Sequence, residues 1–285
     1  MHMQPYIIDA FTDVPFGGNA AGVVRLPEGA GYPPDAEMLA VAKKLGFSET
    51  AFILPLGGEL IQLRYFTPAA EVALCGHATV ASFEGLLQWG LVEKGRTYIA
   101  RTLSGDLEID ITEDGIVWLD MAPPKELGGL SEADTAALYD MYGLDAGDAG
   151  RLSPAIVDSG LPDIMMPVRD RETLAALKPD FARITELSRR LEVTGVHVFT
   201  PGDGSSVTAY CRNFAPLYDI DEEAATGTSN GALSFYLYNR SMLQPDRLNL
   251  FIQGEAMGRP SKIQSRLTQE NGLVKVRVGG RGVIR

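Results

Sequence analysis

Three short segments recur in the same order in both halves of this chain, and a repeat of that kind restricts the fold to two similar lobes. Ala51-Phe52-Ile53-Leu54-Pro55 corresponds to His197-Val198-Phe199-Thr200-Pro201, and Arg64-Tyr65-Phe66-Thr67-Pro68 to Arg212-Asn213-Phe214-Ala215-Pro216. Cys75-Gly76-His77 corresponds to Thr226-Gly227-Thr228, and the intervals between segments differ by only two and three residues. The third segment of each half leads into apolar residues at helical spacing: Val80, Phe83 and Leu87 in a helix predicted from near Thr79, and Ala232, Leu233, Tyr236 and Leu237 in the second half. The amides of Gly76, His77 and Ala78 would then sit at the positive end of a helix dipole, an arrangement that binds anions. Two lobes facing each other would bring both helix starts to one cleft.

The remaining pattern is that of an α+β protein. Residues 5–11 and 21–24 read as strands joined by the tight turn Phe16-Gly17-Gly18-Asn19, where Asn19 is as well suited to holding the turn as to touching a ligand. Asp35 is predicted to cap a helix with Met38, Leu39, Ala42 and Leu45 on its buried side and Gly46 at its end. Glu49 then falls at a helix-to-strand junction between Phe47 and Phe52. Met121-Ala122-Pro123-Pro124 interrupts a strand and marks the boundary between an N-terminal lobe, 1–121, and a C-terminal lobe, 122–285, with roughly the last 20 residues free to pack back on the first.

Charge and composition exclude several classes of function. The 285 residues carry 25 Lys+Arg against 37 Asp+Glu, a net charge of −12, and no basic cluster, which argues against nucleic acid and anionic membranes as partners. No apolar run approaches the roughly 18 residues of a membrane span, and the chain enters its first strand directly, so a cytoplasmic protein is expected. Two cysteines without a CxxC, and three widely spaced histidines, give no disulfide framework and no metal-ligand spacing.

A helix start suits a substrate carboxylate, and it helps most when negative charge grows there during reaction, as in proton abstraction from the adjacent carbon. Candidate bases are Glu49, Cys75, His77 and the acids Asp221, Glu222 and Glu223. Each has a plainer role open to it: a surface acid for Glu49, a small buried thiol for Cys75, a helix-start histidine for His77, and acids favouring a helix N-terminus for the last three. Arg64 and Arg212 read as supports of the lobes, and Cys211 as core.

Taken together, Ile8-Asp9-Ala10-Phe11-Thr12, Gly17-Gly18-Asn19, Ser48-Glu49-Thr50, Arg64 to Pro68, Cys75 to Thr79, Phe214-Ala215-Pro216, Ala225-Thr226-Gly227 and Gln253 to Pro260 resemble the successive motifs of the phenazine-biosynthesis PhzF-like proteins. The resemblance implies a diaminopimelate-epimerase-like fold, with two pseudosymmetric lobes that each wrap a mostly antiparallel sheet around a central helix. It also implies isomerase chemistry without cofactor or metal, and a homodimer. Glu49 falls on the family's proton-shuttling glutamate. His77 matches the family's histidine, whereas Glu223 and Thr228 stand where the family has aspartate and serine. Asn19, Cys75, Gly76, His77, Glu223, Gly227 and Thr228 thus form the expected substrate-binding set. Diaminopimelate epimerases and proline racemases carry a cysteine at the start of both seats, but here the second position is Thr226, whose hydroxyl is far too weak an acid to replace a thiol. A racemase using Cys75 with a different partner, and a non-catalytic small-acid-binding or interaction protein of the same fold, are the alternatives to an isomerase.

Overall fold

A computed structural model describes residues 3–204 and 206–285, and the chain divides into two units, Met1–Asp120 with Gly279–Arg285, and Met121–Val278. The first unit contains β1 (Pro5–Ala10), β2 (Asn19–Arg25), α1 (Asp35–Leu45), β3 (Thr50–Pro55), β4 (Leu60–Phe66), the short β5 (Glu71–Val72), α2 (Gly76–Gln88), β6 (Arg96–Thr102), β7 (Gly105–Ile111) and β8 (Val117–Asp120). In the second unit, β9 (Lys125–Gly129), α3 (Glu132–Met141), β10 (Ala155–Asp158), β11 (Pro162–Pro167), α4 (Arg171–Ala175) and α5 (Phe181–Leu191) come first. They are followed by β12 (Gly195–Pro201), β13 (Ala209–Ala215), β14 (Ile220–Glu223), α6 (Gly227–Asn239), β15 (Leu248–Gln253), β16 (Ser261–Glu270) and β17 (Leu273–Gly280), before β18 (Gly282–Ile284) completes the first unit. Among the described residues no helix is long and apolar enough to cross a membrane.

The repeat read from sequence is present at the level of strand register. In the first unit β1 and β2 are antiparallel, β2 and β3 parallel, β3 and β4 antiparallel, β4 and β6 parallel, and β6 and β7 antiparallel. The second unit repeats that order with β10, β11, β12, β13, β15 and β16. Ala51 lies opposite Tyr65 and Phe52 opposite Arg64, as His197 lies opposite Asn213 and Val198 opposite Arg212. The two-residue difference in spacing falls in the β3–β4 and β12–β13 connections, since Pro55 pairs with Ile61 but Pro201 with Ala209. The three-residue difference lies between β13 and β14, where the 3-10 turn Pro216–Tyr218 lengthens the link.

Arg64 and Arg212 brace the two sheets identically. Arg64 donates through Nε and Nη2 to both carboxylate oxygens of Glu71 at 2.7 and 2.6 Å, and Arg212 does the same to Glu222 at 2.9 and 2.7 Å. Each guanidinium also covers the phenylalanine two residues on, Phe66 or Phe214. These bidentate, charge-assisted pairs tie the strand before each central helix to β4 or β13. They also occupy the two arginines, as the sequence suggested. Asp35 departs from expectation: Pro34 holds the N-cap position of α1, and Asp35 is the first helical residue, pairing with Arg64 at 2.9 Å. Proline fixes the extended entry without a capping side chain, and an acid in the first turn is favoured by the helix dipole.

The helix after Cys75 begins at Gly76, three residues earlier than its apolar spacing predicted, because Cys75 is the extended N-cap residue. Every residue of α2 from His77 to Leu86 is buried, packed by β1, β2, β3, β8 and β18. Such a helix has no polar face, and its small residues permit the close approach. A Cβ on Gly85 would come within 2.7 Å of Ile8 and 3.1 Å of Trp89. Ser82 disposes of its buried hydroxyl by donating to the Ala78 carbonyl at 2.7 Å, and Ser234 in α6 does so to Asn230 at 2.8 Å. Helix α6 is similarly enclosed by β9, β10, β11 and β16.

The strand pair that floors the first unit is locked by Asp9, a fully buried carboxylate. It accepts from the Phe16 amide at 2.8 Å and from Arg285 Nε and Nη2 at 2.9 and 2.7 Å, while the Arg285 guanidinium lies over Phe16 at 4.7 Å and near Phe47 at 5.9 Å. Arg285→Met strands that carboxylate and should lower the unfolding free energy by roughly 2–4 kcal/mol, with part recovered in the Asp9→Asn/Arg285→Met double variant. Urea melts measure both, and an unchanged midpoint for Arg285→Met would contradict the assignment.

Candidate functional site

Glu49 follows α1, whose left-handed terminator Gly46 turns the chain toward β3. The backbone there is held by β2, where the Gly22 amide donates to the Glu49 carbonyl at 3.1 Å. The Glu49 side chain is 17% exposed, so it is sheltered yet reachable, and its Oε2 lies 3.5 Å from Nε2 of His77. On the other side of the imidazole, Nδ1 lies 3.4 Å from Sγ of Cys75. Residues far apart in sequence are thus gathered at the first turn of α2: one ligand atom from each of Glu49, Cys75 and His77 lies within 4.8 Å of the others. Chemically, this trio offers a proton-transferring carboxylate backed by an imidazole, and also three atoms able to hold a cation.

The backbone of the same turn supplies the complementary charge. Its hydrogen-bond ladder starts with the Thr79 amide donating to the Cys75 carbonyl at 3.0 Å, so the amides of Gly76, His77 and Ala78 precede that ladder. The Thr79 hydroxyl donates to the same carbonyl at 2.7 Å and meets the hydroxyl of buried Tyr65 at 2.7 Å, which fixes the first turn against β4. Asn19 is the buried first residue of β2, opposite Ala10. The turn before it is closed by the Asp9 carboxylate on the Phe16 amide.

The predicted residues of the second unit form a cluster of a different kind. Thr226 is the N-cap of α6 and Gly227 its first residue; the Thr226 hydroxyl donates to the Glu223 carboxylate and accepts from Gln253 Nε2 at 3.1 Å. Gln253 also donates to the Glu223 carbonyl at 2.7 Å and accepts from the Thr226 amide at 3.2 Å and from Asn230 Nδ2 at 2.8 Å. Thr228 contributes its carbonyl to the Ser159 hydroxyl at 2.7 Å. The sequence reading gave Gln253 and Asn230 no role. A signal was present in the glycine after Gln253, since Gly254 has φ +79° and a Cβ there would fall 2.3 Å from the Arg259 carbonyl and 2.7 Å from that of Ala224.

Beneath this cluster lie two buried titratable side chains. His197 Nδ1 lies 2.9 Å from Asn213 Oδ1, and burial lowers its pKa to about 4, so it is neutral at physiological pH. Asp163 accepts from the Ser229 hydroxyl in α6, and burial pushes its pKa up to about 6 from 3.8.

The sequence and the fold are similar to those of known proteins. A family model for phenazine biosynthesis-like proteins matches residues 8–285. The uncharacterized isomerase YddE of Escherichia coli K12 is 32% identical, over all of this chain and 97% of its own length. Among solved structures, a PhzF-family phenazine biosynthesis protein of Bacillus anthracis shares the fold with a TM-score of 0.89 at 24% identity, covering all of this chain and 97% of that one. A hydroxyproline epimerase of Agrobacterium vitis shares it with a TM-score of 0.62 at 14% identity, covering 99% and 90%.

The Asp163 shift makes a signed prediction about stability. Its raised pKa favours the folded state fully below pH 3.8, and that contribution is lost as pH rises through about 6. Asp163→Asn lacks this dependence, so its stability relative to wild type should improve by roughly 2–3 kcal/mol between pH 4 and pH 7. Comparing the two proteins at each pH cancels the opposite contribution of His197. A variant that tracks wild type at a constant offset in denaturant melts would refute the assignment.

Proposed function

The chain belongs to the phenazine biosynthesis-like family of isomerases, and from that premise we propose that it moves a proton between carbons of a small carboxylate without a cofactor, with Glu49 as acid and base. The observation that carries this reading is the convergence of Glu49 and His77, 3.5 Å apart, on the first turn of α2. Glu49 removes a proton from the carbon beside the substrate carboxylate. The electrons left behind spread onto the carboxylate oxygens, where the amides of Gly76, His77 and Ala78 and the helix dipole stabilise them more in the transition state than in the ground state. Where a carbon–carbon double bond of the substrate adjoins that carbon, the electrons spread over it as well, and Glu49 returns the proton at its far end as the double bond moves. His77 orients the carboxylate of Glu49, and Cys75 lines the seat.

The roles of Asn19, Glu223, Gly227 and Thr228 as further substrate contacts belong to the same reading, as do a homodimeric assembly and a cytoplasmic setting. Glu223 has one methylene more, and Thr228 one methyl more, than the residues they replace in the family pattern, so the substrate is expected to differ in shape. Racemisation through Cys75 is the competing chemistry, favoured by the 3.4 Å approach of Sγ to His77. Against it, the residue at the corresponding position, Thr226, has its hydroxyl engaged by Glu223 and Gln253.

A panel of small carboxylates incubated in heavy water with the enzyme tests the proposal: an isomerase labels its substrate at the new carbon, a racemase at the original stereocentre, and a binding protein at neither. Glu49→Gln preserves shape and should reduce turnover by at least about 10² while leaving folding intact. Cys75→Ala should do much less, and the opposite ranking would replace the isomerase by a modified racemase. Turnover should also survive EDTA; activity lost to a chelator and restored by zinc would rule out cofactor-independent chemistry.

A further inference from the structure

The geometry points to a binding site for a zinc-like divalent transition metal at the Glu49, Cys75 and His77 corner of the first unit, with the ion acting as an inhibitor of the isomerase. The inhibitory half of this inference rests on the reading of Glu49 as the base; the binding half does not. The argument starts from ligand spacing. Zinc holds sulfur at about 2.3 Å and imidazole nitrogen at about 2.0–2.1 Å in a tetrahedron, which sets the two donors about 3.6 Å apart. Cys75 Sγ and His77 Nδ1 already lie 3.4 Å apart.

The third donor is near at hand. Glu49 faces the other ring nitrogen, with Oε2 3.5 Å from Nε2, and one ligand atom from each of the three residues lies within 4.8 Å of the others, so its carboxylate joins the ion by turning its side chain around the ring edge toward Nδ1. Glu49 belongs to the irregular link between α1 and β3, and its side chain can turn without disturbing a strand. Cys75 and His77, by contrast, are fixed by the N-cap and first turn of a buried helix. Thiolate, imidazole and carboxylate together form a donor set suited to zinc or cobalt rather than to magnesium or calcium. Three protein donors leave the fourth position to water. Coordination displaces the thiol proton of Cys75 to solvent and requires both the His77 nitrogen and the Glu49 carboxylate to be unprotonated, so binding weakens in acid. A carboxylate held by the metal cannot take a proton from a substrate carbon.

The second half of the chain lacks this property. The corresponding positions are Thr226 and Thr228, and neither supplies a donor that zinc prefers. The other cysteine, Cys211, is 3% exposed in β13 and inaccessible to an ion, which makes it an internal control.

Cobalt(II) chloride titrated into the full chain, without any substrate, should raise a thiolate-to-cobalt charge-transfer band that saturates at one equivalent and is bleached by zinc. Cys75→Ser should abolish the band and weaken zinc binding at least about 100-fold, Glu49→Gln should weaken it about 10-fold, and Cys211→Ser should change neither. Zinc should also protect Cys75 of the wild-type protein from iodoacetamide, a readout that needs no variant to fold. In the heavy-water assay, labelling should fall in step with growth of the cobalt band. Absence of the band, its persistence in Cys75→Ser, or unprotected Cys75 at saturating zinc each overturns the site. A normal band in a protein whose Glu49→Gln variant keeps full turnover would instead leave the site standing and remove the reading of Glu49 as the base. Full labelling with the band saturated would remove the inhibitory role.

Discussion

Everything at the first seat depends on a helix being buried around its whole circumference. An enclosed helix satisfies its backbone internally along its length, but the amides of its first turn have no preceding carbonyls within the helix. In α2 the flanks are sealed by β1, β2, β3, β8 and β18, so the polar demand of the helix is concentrated at Gly76 to Ala78. Burial that is apolar in origin thereby produces a fixed site of positive potential. The small residues Ala78, Ala81, Ser82 and Gly85 that allow the sheet to close are part of the same solution. Larger side chains there would push the sheet away and admit water beside the seat.

The two halves furnish the same scaffold with different helix starts. Both use an arginine braced bidentately to a glutamate four residues before the N-cap, and both start a helix with glycine. They diverge at the N-cap itself. Cys75 faces an imidazole whose far nitrogen meets the Glu49 carboxylate, while the Thr226 hydroxyl is consumed between Glu223 and Gln253. A hydroxyl that both donates and accepts within its own unit rigidifies the turn and gives up freedom to transfer protons. The net charge of −12 weighs little against such local arrangements, because distant surface charges are screened over about 8 Å at physiological ionic strength.

Much of this was legible in the sequence because the repeat is carried by residues with strict backbone requirements. The correspondence of Arg64 with Arg212 survives as register, and the extra residues of the second half fall in connections. What was not legible has common physical causes. The start of α2 was displaced by three residues because Gly76 and His77 carry no helical apolar signal, although the backbone is already helical there. The Asp35 cap was mistaken because Asp is favoured both as a cap and in a first turn, and only the fixed backbone of Pro34 separates the two. Strands β5, β9 and β14 to β18 went unassigned; β9, for example, is exposed throughout and shows no alternation.

The hardest feature to read was the meeting of Glu49 with Cys75 and His77. Metal and catalytic motifs are recognised by short spacings on one element, and here the interval is set by three strands, β3 to β5, and their connections, whose lengths have no direct bearing on the chemistry. Geometry arises instead from the parallel pairing of β2 with β3, which fixes where the Glu49 link leaves the sheet, and from the burial of α2, which fixes where its first turn stands. In the readings proposed above, proton transfer and cation binding compete for Glu49 and His77. A proton held on the carboxylate or on an imidazole nitrogen occupies a lone pair that an ion would need, and an ion bound to both removes the base.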